Sequence, residues 1–292
     1  MLNLTLREDA PDLSSSNAAY AVVFGCVVLL GLPLNAASLW ILVRRHRLKS
    51  PSAVVMINLA ASDLLLVLSL PLRVYFHATG AWALGVHACV WITMLFRNNI
   101  RASAVFITFI GVDRLLAVVF PLRSRHLRTT TNAWRACAVV WVSILAVNVP
   151  ESFELSSSMY RCNVTNCFEL PGYELTVVHA YMQSCLVFTL LAVNVISTLM
   201  ASWRLRHLGA SGRTINNKVD VMLIFAVNLL MFAVFFLPVS VVMMVEDWRH
   251  VAMPTVCLAS VNCCFDPLLY YFSLDSFWKK SDNNSLSHLE RR

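Results

Sequence analysis

The chain has 292 residues, of which 58% are hydrophobic and only 13% are charged, and its formal net charge is +7. Apolar runs recur along nearly the whole length, which excludes a disordered chain and a single soluble domain. Its eight Gly and ten Pro also exclude a collagen-like or low-complexity protein. We therefore expect one membrane domain.

Stretches that are apolar enough to cross a bilayer occur seven times. A spanning helix needs about 20 mostly apolar residues. The predicted spans are 20–43, 53–77, 88–118, 132–150, 176–203, 219–245 and 251–273. These runs are too long and too continuous for an outer-membrane barrel. The sequence thus predicts an all-α membrane protein with a seven-helix transmembrane domain over residues 20–273.

The distribution of charge predicts the orientation of these helices. Seventeen of the 23 Lys and Arg fall in one set of alternate loops and in the C-terminal tail, whereas the N-terminus and the other loops hold three, together with nine acids. By the positive-inside rule, residues 1–19 are extracellular and residues 274–292 are cytoplasmic. We expect the latter to form a short amphipathic eighth helix and a tail. The net charge is therefore a sign of topology and not of nucleic-acid binding.

Three of the nine cysteines, Cys89, Cys162 and Cys167, lie on the predicted extracellular side, where disulfides persist. Cys89 can therefore link the top of the third span to the loop after the fourth, through either of the other two. The same side carries two Asn-X-Thr acceptors for glycosylation, at Asn3 and Asn163.

Two carboxylates, Asp63 and Asp266, lie inside predicted spans, where a charge costs about 2.5–3.5 kcal/mol on insertion scales. Asn99 and Ser103 are four residues apart on one face of the third helix, and Asn262 is four residues before Asp266. Their oxygen atoms can converge on Asp63. From the residues alone two interpretations stand, a sodium ion in an oxygen cage or a hydrated polar network with a proton on one Asp.

Three arginines, Arg73, Arg97 and Arg101, lie in the outer parts of the second and third spans. Arg101 is too deep to reach the interface easily, and no acid lies within the predicted fourth or fifth span to neutralise it. We expect these arginines to line a pocket for phosphate or carboxylate, with apolar walls for a greasy ligand tail. Arg73 can instead reach the interface with its long side chain. Arg97 can instead pair with Glu151 or Glu154, at the outer end of the fourth span.

Six motifs occur in order along the spans. They are Gly31-Leu-Pro-Leu-Asn35, Asn58-Leu-Ala-Ala-Ser-Asp63, Asp113-Arg114-Leu115, Trp141, Phe232-Ala-Val-Phe-Phe236-Leu-Pro238 and Asp266-Pro267-Leu-Leu-Tyr270. With these motifs the chain resembles a class A, rhodopsin-like G-protein-coupled receptor over about residues 20–280.

Within that family the chain is most similar to the purinergic-like branch of lysophosphatidic acid receptors, in particular types 5, 6 and 4. The similar segments are Leu70-Pro-Leu-Arg73, Pro121-Leu-Arg-Ser-Arg-His-Leu-Arg128 and Asn262-Cys-Cys-Phe-Asp-Pro-Leu-Leu-Tyr-Tyr-Phe272. The resemblance implies a plasma-membrane receptor and not an enzyme. Its implied partners are an anionic lysophospholipid, above all lysophosphatidic acid, a heterotrimeric G protein and membrane lipids, with no nucleic acid.

The resemblance also implies roles for individual residues. It places Arg73 at the ligand's anionic headgroup, favours an allosteric sodium ion and no other metal or cofactor, and pairs Cys89 with Cys167. The implied sodium site consists of Asp63, Asn99, Ser103, Asn262 and Asp266.

For signalling, the resemblance implies that Asp113 holds Arg114 in the resting state and that this pair governs G-protein coupling. The implied activation switch consists of Phe232, Phe236, Pro238, Pro267 and Tyr270. Helix six is then expected to move at the kink made by Pro238.

The fifth span departs from the family pattern, because it has no proline and no tyrosine near its inner end. One alternative is therefore a receptor-like protein that binds ligand but signals weakly. A second alternative is a receptor for a nucleotide or small hydroxy-carboxylate, which uses the same arginines without a long acyl pocket. An ion-coupled carrier that uses Asp63 and Asp266 is a third, although seven unlike spans argue against the internal repeats of carriers.

Overall fold

The computed structural model describes the backbone of residues 13–44, 50–161, 167, 175–207, 212–245, 248 and 251–289. It describes the side chains of residues 17–44, 50–161, 167, 178–207, 221–245, 248 and 251–270. The helices are α1 (Leu13–Arg44), α2 (Pro51–Thr79), α3 (Gly85–Val119), α4 (Thr130–Arg161), α5 (Leu175–His207), α6 (Gly212–Met231), α7 (Leu237–Met244) and α8 (Ala252–Leu289). A π-helical turn (Phe232–Phe236) joins α6 to α7.

Seven segments of these helices are long and apolar enough to cross a membrane. Within the ranges given above there is no strand. The predicted all-α fold with seven spans is therefore confirmed. The first five predicted spans fall inside α1 to α5. The sixth, 219–245, follows the continuous α6, π turn and α7 but ends one residue beyond Met244, and the seventh, 251–273, begins one residue before α8.

The fourth helix is longer than the sequence predicts, and this difference matters for the site. The predicted span ends at residue 150, but α4 continues through Pro150 to Arg161. A proline removes one backbone hydrogen bond from a helix without requiring that the helix end. Glu151 therefore lies on a helix that packs against α3, and not in a loop beyond the span.

The ends of α2 follow from its sequence. The Ser50 hydroxyl accepts a hydrogen bond from the Ala53 N–H, and Pro51 occupies the first turn, where its missing N–H costs nothing. Gly80 ends the helix with a φ of 67°, a left-handed conformation that glycine adopts without strain. These signals set the beginning and end of α2, the helix that carries Asp63 and Arg73.

The bundle is centred on α2 and α3, whose most apolar stretches are buried to a greater extent than those of the other spans. Lipid is as apolar as a leucine side chain, so the helices associate through close packing and interhelical hydrogen bonds. The Asn35 amide donates to the Cys263 carbonyl at 2.7 Å, and the Trp141 indole donates to Asn58 Oδ1 at 2.9 Å. These bonds join α1 to α8 and α4 to α2.

The sixth span changes its winding just before Pro238. In the π turn the Leu237 N–H donates to the Phe232 carbonyl, five residues back, and Pro238 lies in the first turn of α7. This turn is the local adjustment that accommodates a residue without an N–H in the middle of a span.

The seventh span and the helix predicted after it form one element. The backbone of α8 runs from Ala252 to Leu289, through Pro267 and most of residues 274–292, the region predicted as a separate eighth helix and tail.

Candidate functional site

The outer ends of α3 and α4 are joined by a carboxylate that two arginines share. Arg97 donates through Nη1 to Glu151 Oε1, and Arg101 donates through Nη2 to Glu151 Oε2 at 2.8 Å. The Glu151 side chain is only 3% exposed, and those of Arg97 and Arg101 are 29% and 7% exposed. Together the three groups carry a formal charge of +1.

Arg101 is held by the protein itself. Its Nε donates to Gln183 Oε1 at 2.8 Å, and its Nη1 donates to Asn148 Oδ1. With Glu151, three acceptors from α4 and α5 surround this guanidinium. The expectation that Arg101 lacks a neutralising acid is therefore wrong, because the continuation of α4 beyond residue 150 brings Glu151 to its depth. The alternative pairing of Arg97 with Glu151 is confirmed.

Arg73 lies inside the bundle and not at the interface. The residue is 3% exposed, and its guanidinium lies over the Phe96 ring at 4.8 Å and the Phe24 ring at 5.9 Å from the centroids. Arg97 lies in electrostatic range of both Arg73 and Arg101. The structure thus brings the three predicted arginines together, with aromatic faces against Arg73 and Glu151 against Arg97 and Arg101. Arg73, Arg97, Arg101 and Glu151 are called the arginine cluster below.

His179 of α5 lies beside a second acid of α4. Its Nδ1 is 3.6 Å from Glu154 Oε2. This contact at the outer end of the bundle is consistent with a packing role for His179.

The predicted sodium-site residues also lie together, in the middle of the bundle. Asn99 Nδ2 donates to Asp63 Oδ1 at 2.9 Å and to Ser103 Oγ at 3.2 Å. Asn262 Nδ2 donates to Asp266 Oδ2 at 2.7 Å, and the two carboxyl groups lie within hydrogen-bonding range of each other. All five residues are buried. They are called the carboxylate site below.

The carboxylate site has more acceptors than donors. Among the described residues, Asp63 Oδ2, Asp266 Oδ1 and Asn262 Oδ1 are buried without a hydrogen-bond partner. Two facing carboxyl groups need either a shared proton or a cation between them. The donor set therefore fits a hard monovalent cation, which binds through oxygen atoms. Ser62, whose hydroxyl accepts from Asn99 at 3.3 Å, is a neighbour that the sequence analysis missed.

Asp113 at the inner end of α3 has partners that the sequence analysis did not identify. Arg128 donates to it through Nε at 2.7 Å and through Nη2 at 3.2 Å, and the Ser52 hydroxyl donates at 2.7 Å. Asp113 also attracts the largely buried Arg114 electrostatically. Asp113 therefore ties the second inner loop and the start of α2 to α3.

A buried polar cluster joins α3, α5 and α6 in the inner half of the bundle. Asn194 Nδ2 donates to Thr108 Oγ1 at 2.8 Å, and Asn228 Nδ2 lies 3.4 Å from the Ile107 carbonyl. A Cβ on Gly111 would lie 3.1 Å from Asn194 Oδ1 and 3.2 Å from Asn228 Nδ2, so a larger residue here would push both amides aside. We call Thr108, Gly111, Asn194 and Asn228 the polar joint. Asparagines in two apolar spans were the available signal for it.

The predicted switch residues line the sixth and seventh spans. The Phe232 and Phe236 rings are fully buried and 5.2 Å apart, on the π turn directly before Pro238. Pro267 lies within α8, and Tyr270 is buried with a hydroxyl that has no hydrogen-bond partner among the described residues.

The predicted disulfide between Cys89 and Cys167 is present. It ties the start of α3 to the segment between α4 and α5. The glycosylation acceptors Asn3 and Asn163, and the unassigned Cys162, lie outside the described residues.

Comparison with known proteins identifies similar chains. Residues 34–270 match the 7 transmembrane receptor (rhodopsin family). Lysophosphatidic acid receptor 4 of Mus musculus is 32% identical over 99% of this chain and 82% of the relative. Lysophosphatidic acid receptor 5 of Bos taurus is 36% identical over 94% of this chain and 80% of the relative. Lysophosphatidic acid receptor 6 of Gallus gallus is 33% identical over 88% of this chain and 90% of the relative.

Proposed function

Because the chain belongs to the rhodopsin family of seven-transmembrane receptors, we propose that it is a plasma-membrane receptor for an anionic lysophospholipid. Lysophosphatidic acid is the ligand that its relatives' names favour, and heterotrimeric G proteins are the partners that the family implies. The single observation that carries the proposal is the position of Arg73, buried beside Phe96 and in electrostatic range of Arg97. The N-terminus is extracellular in this proposal, in keeping with the positive-inside distribution.

In the proposed complex the phosphate lies between Arg73 and Arg97. Guanidinium groups match phosphate oxygens with two parallel hydrogen bonds, and these bonds are stronger where water is excluded. The aromatic rings of Phe24 and Phe96 flank Arg73, so the region beside the headgroup is apolar. The acyl chain then lies among apolar residues of the third to sixth spans.

Arg101 has a supporting role in this proposal. Three protein acceptors already surround its guanidinium, so it orients Glu151 and does not contact the ligand. This changes the site expected from the sequence, which included Arg101 as a ligand residue.

The carboxylate site holds the proposed allosteric sodium ion. Asp63 and Asp266 supply charge, and Asn99, Ser103 and Asn262 complete the set of polar neighbours. A bound cation offsets the repulsion between two carboxylates that face each other in a buried site. Because the ion favours the closed bundle and the agonist the open one, each lowers the affinity of the other.

Signal transmission uses the sixth span as the moving element. The π turn at Phe232–Phe236 and the missing N–H of Pro238 make this helix easy to bend above the polar joint. Movement of α6 away from α3 separates Asn228 from Ile107 and opens the inner cleft. Arg114 then becomes available to a G-protein subunit.

Nucleotide exchange on a purified heterotrimer tests this function. The receptor in phosphatidylcholine nanodiscs is titrated with 1-oleoyl lysophosphatidic acid, and the expected result is saturable acceleration of exchange. A series with shorter acyl chains at constant headgroup should lose potency as apolar contact is lost, by about 0.8 kcal/mol per buried methylene.

The rival functions give different results in the same assay. If a compound with the same headgroup but no acyl chain is fully potent, the protein is a receptor for a nucleotide or small hydroxy-carboxylate. Saturable binding without exchange indicates the weakly signalling protein that the unusual fifth span suggested. If the receptor shows no binding and no exchange, the proposed function is refuted. Current across a reconstituted bilayer then identifies a carrier.

A further inference from the structure

The arginine cluster already contains an anion, the carboxylate of Glu151. One of its oxygens accepts from Arg97 and the other from Arg101. Its side chain is 3% exposed, so these bonds form away from bulk solvent. A ligand phosphate that binds Arg97 therefore competes with a charged group of the protein.

The two guanidinium groups that bind Glu151 differ in their exposure to solvent. Arg101 also has Asn148 and Gln183 as acceptors and is almost fully buried. The side chain of Arg97 is 29% exposed, so it is the more accessible of the two. Exchange of a carboxylate for a phosphate is thus expected at Arg97, while Glu151 stays bound to Arg101.

We propose that Glu151 is an internal competitor for the ligand headgroup at Arg97 and so sets how strong an anion must be to bind this receptor. The inference rests on the proposed function and concerns the selectivity of the same site. A lipid carboxylate offers Arg97 only the same group that Glu151 already provides, so it gains nothing over the contact that it displaces. A phosphate monoester carries about −1.5 to −2 charge and three acceptor oxygens, so it compensates for the lost contact.

The competition has a specific physical consequence. Displacing Glu151 from Arg97 is a fixed cost that every anionic ligand meets, whatever its own charge. Removing the carboxylate therefore raises the affinity of all of them. The weakest anions, which do not reach measurable binding in the native receptor, then become detectable ligands.

The test uses the full-length receptor in phosphatidylcholine nanodiscs. Binding of radiolabelled 1-oleoyl lysophosphatidic acid is measured directly, and oleic acid, which has the same chain and one carboxylate, is the competitor. Glu151→Gln is expected to tighten lysophosphatidic acid binding by about tenfold and to make competition by oleic acid measurable. Glu154→Gln removes the same charge one turn along α4, beside His179, and is expected to change neither value.

A double-mutant cycle separates competition from a general change in potential. If the exchange takes place at Arg97, Glu151→Gln tightens binding by no more than about twofold in an Arg97→Gln background. An equal gain in both backgrounds, or weaker binding of Glu151→Gln, overturns the proposal. Glu151→Asp keeps the charge but is one methylene shorter, so it is expected to stay with the more buried Arg101 and to release Arg97. If Glu151→Gln does not fold, Glu151→Asp replaces it and must also tighten binding.

The outcome distinguishes this inference from the proposed function. Native receptor that does not bind lysophosphatidic acid refutes the proposed function. Native receptor that binds it, with Glu151→Gln binding no tighter, refutes only the competition by Glu151.

Discussion

The arginine cluster and the carboxylate site are both groups of charges inside the bundle, but they differ in how far the surrounding residues satisfy them. In the arginine cluster, Glu151 supplies a counter-ion to two guanidinium groups, and Asn148 and Gln183 complete the shell of Arg101. In the carboxylate site, three buried acceptor oxygens have no donor among the described residues.

The difference shows that a buried charge does not by itself identify a ligand. The insertion cost that draws attention to Arg101 and to Asp63 is similar for the two residues. For Arg101 the protein itself offsets that cost, whereas Asp63 and Asp266 each keep a buried oxygen without a donor among the described residues. Whether a buried charge supports the fold or can bind a partner therefore depends on how many of its donors and acceptors are already satisfied by the protein.

The largest expected effect is on stability, from removal of Arg101. Arg101→Ala leaves Glu151 with one of its two partners and leaves Asn148 and Gln183 without their donor. Breaking a buried pair in this way costs roughly 3–5 kcal/mol. The melting temperature of the purified receptor should therefore fall sharply. Arg161→Ala, at the exposed outer end of α4, is the matched control. Equal melting temperatures for the two variants would show that Arg101 does not support the fold.

The second effect concerns sodium at the carboxylate site. Replacing NaCl with N-methylglucamine chloride at constant ionic strength should tighten agonist binding by about tenfold, within the usual range of allosteric coupling. Asp63→Asn and Asp266→Asn should each abolish this dependence, because each removes a charged ligand of the ion. A native receptor whose affinity is the same in both salts would favour the network that shares a proton.

The smallest effect concerns the polar joint, which is polar without being charged. Gly111→Ala places a methyl group 3.1 Å from Asn194 Oδ1 and 3.2 Å from Asn228 Nδ2, so both amides must shift. We expect a loss of about 1 kcal/mol, measured as a lower melting temperature. Gly25→Ala has nothing within 4 Å of the added methyl group and should instead stabilise α1 slightly. Losses of similar size in both variants would mean that the joint is not closely packed.

The fold was largely predictable from the sequence, for a simple physical reason. Spans of about 20 apolar residues must be helical in lipid, so their number and order follow from composition. The carboxylate site was predictable because Asn99 and Ser103, and likewise Asn262 and Asp266, share helix faces through their spacing of four residues. The pairing of Cys89 with Cys167 came from family resemblance, since position alone left Cys162 equally eligible.

Two features of the sites were not predictable, because each depends on where a helix ends or how a loop folds. The fourth span was predicted to end at residue 150, and Glu151 was therefore placed outside the depth of Arg101. The helix continues, and the acid faces α3. Arg128 belongs to the inner loop, whose path no periodic pattern indicates, so its bond to Asp113 could not be inferred.

Binding of labelled 1-oleoyl lysophosphatidic acid to the native receptor and to Arg73→Ala in nanodiscs tests the central claim most directly. Loss of one buried guanidinium partner of the phosphate should weaken binding by at least about 30-fold, while Arg161→Ala binds as the native receptor does. Equal affinity of Arg73→Ala and the native receptor, at equal amounts of folded protein, would contradict the assignment of the headgroup to the arginine cluster.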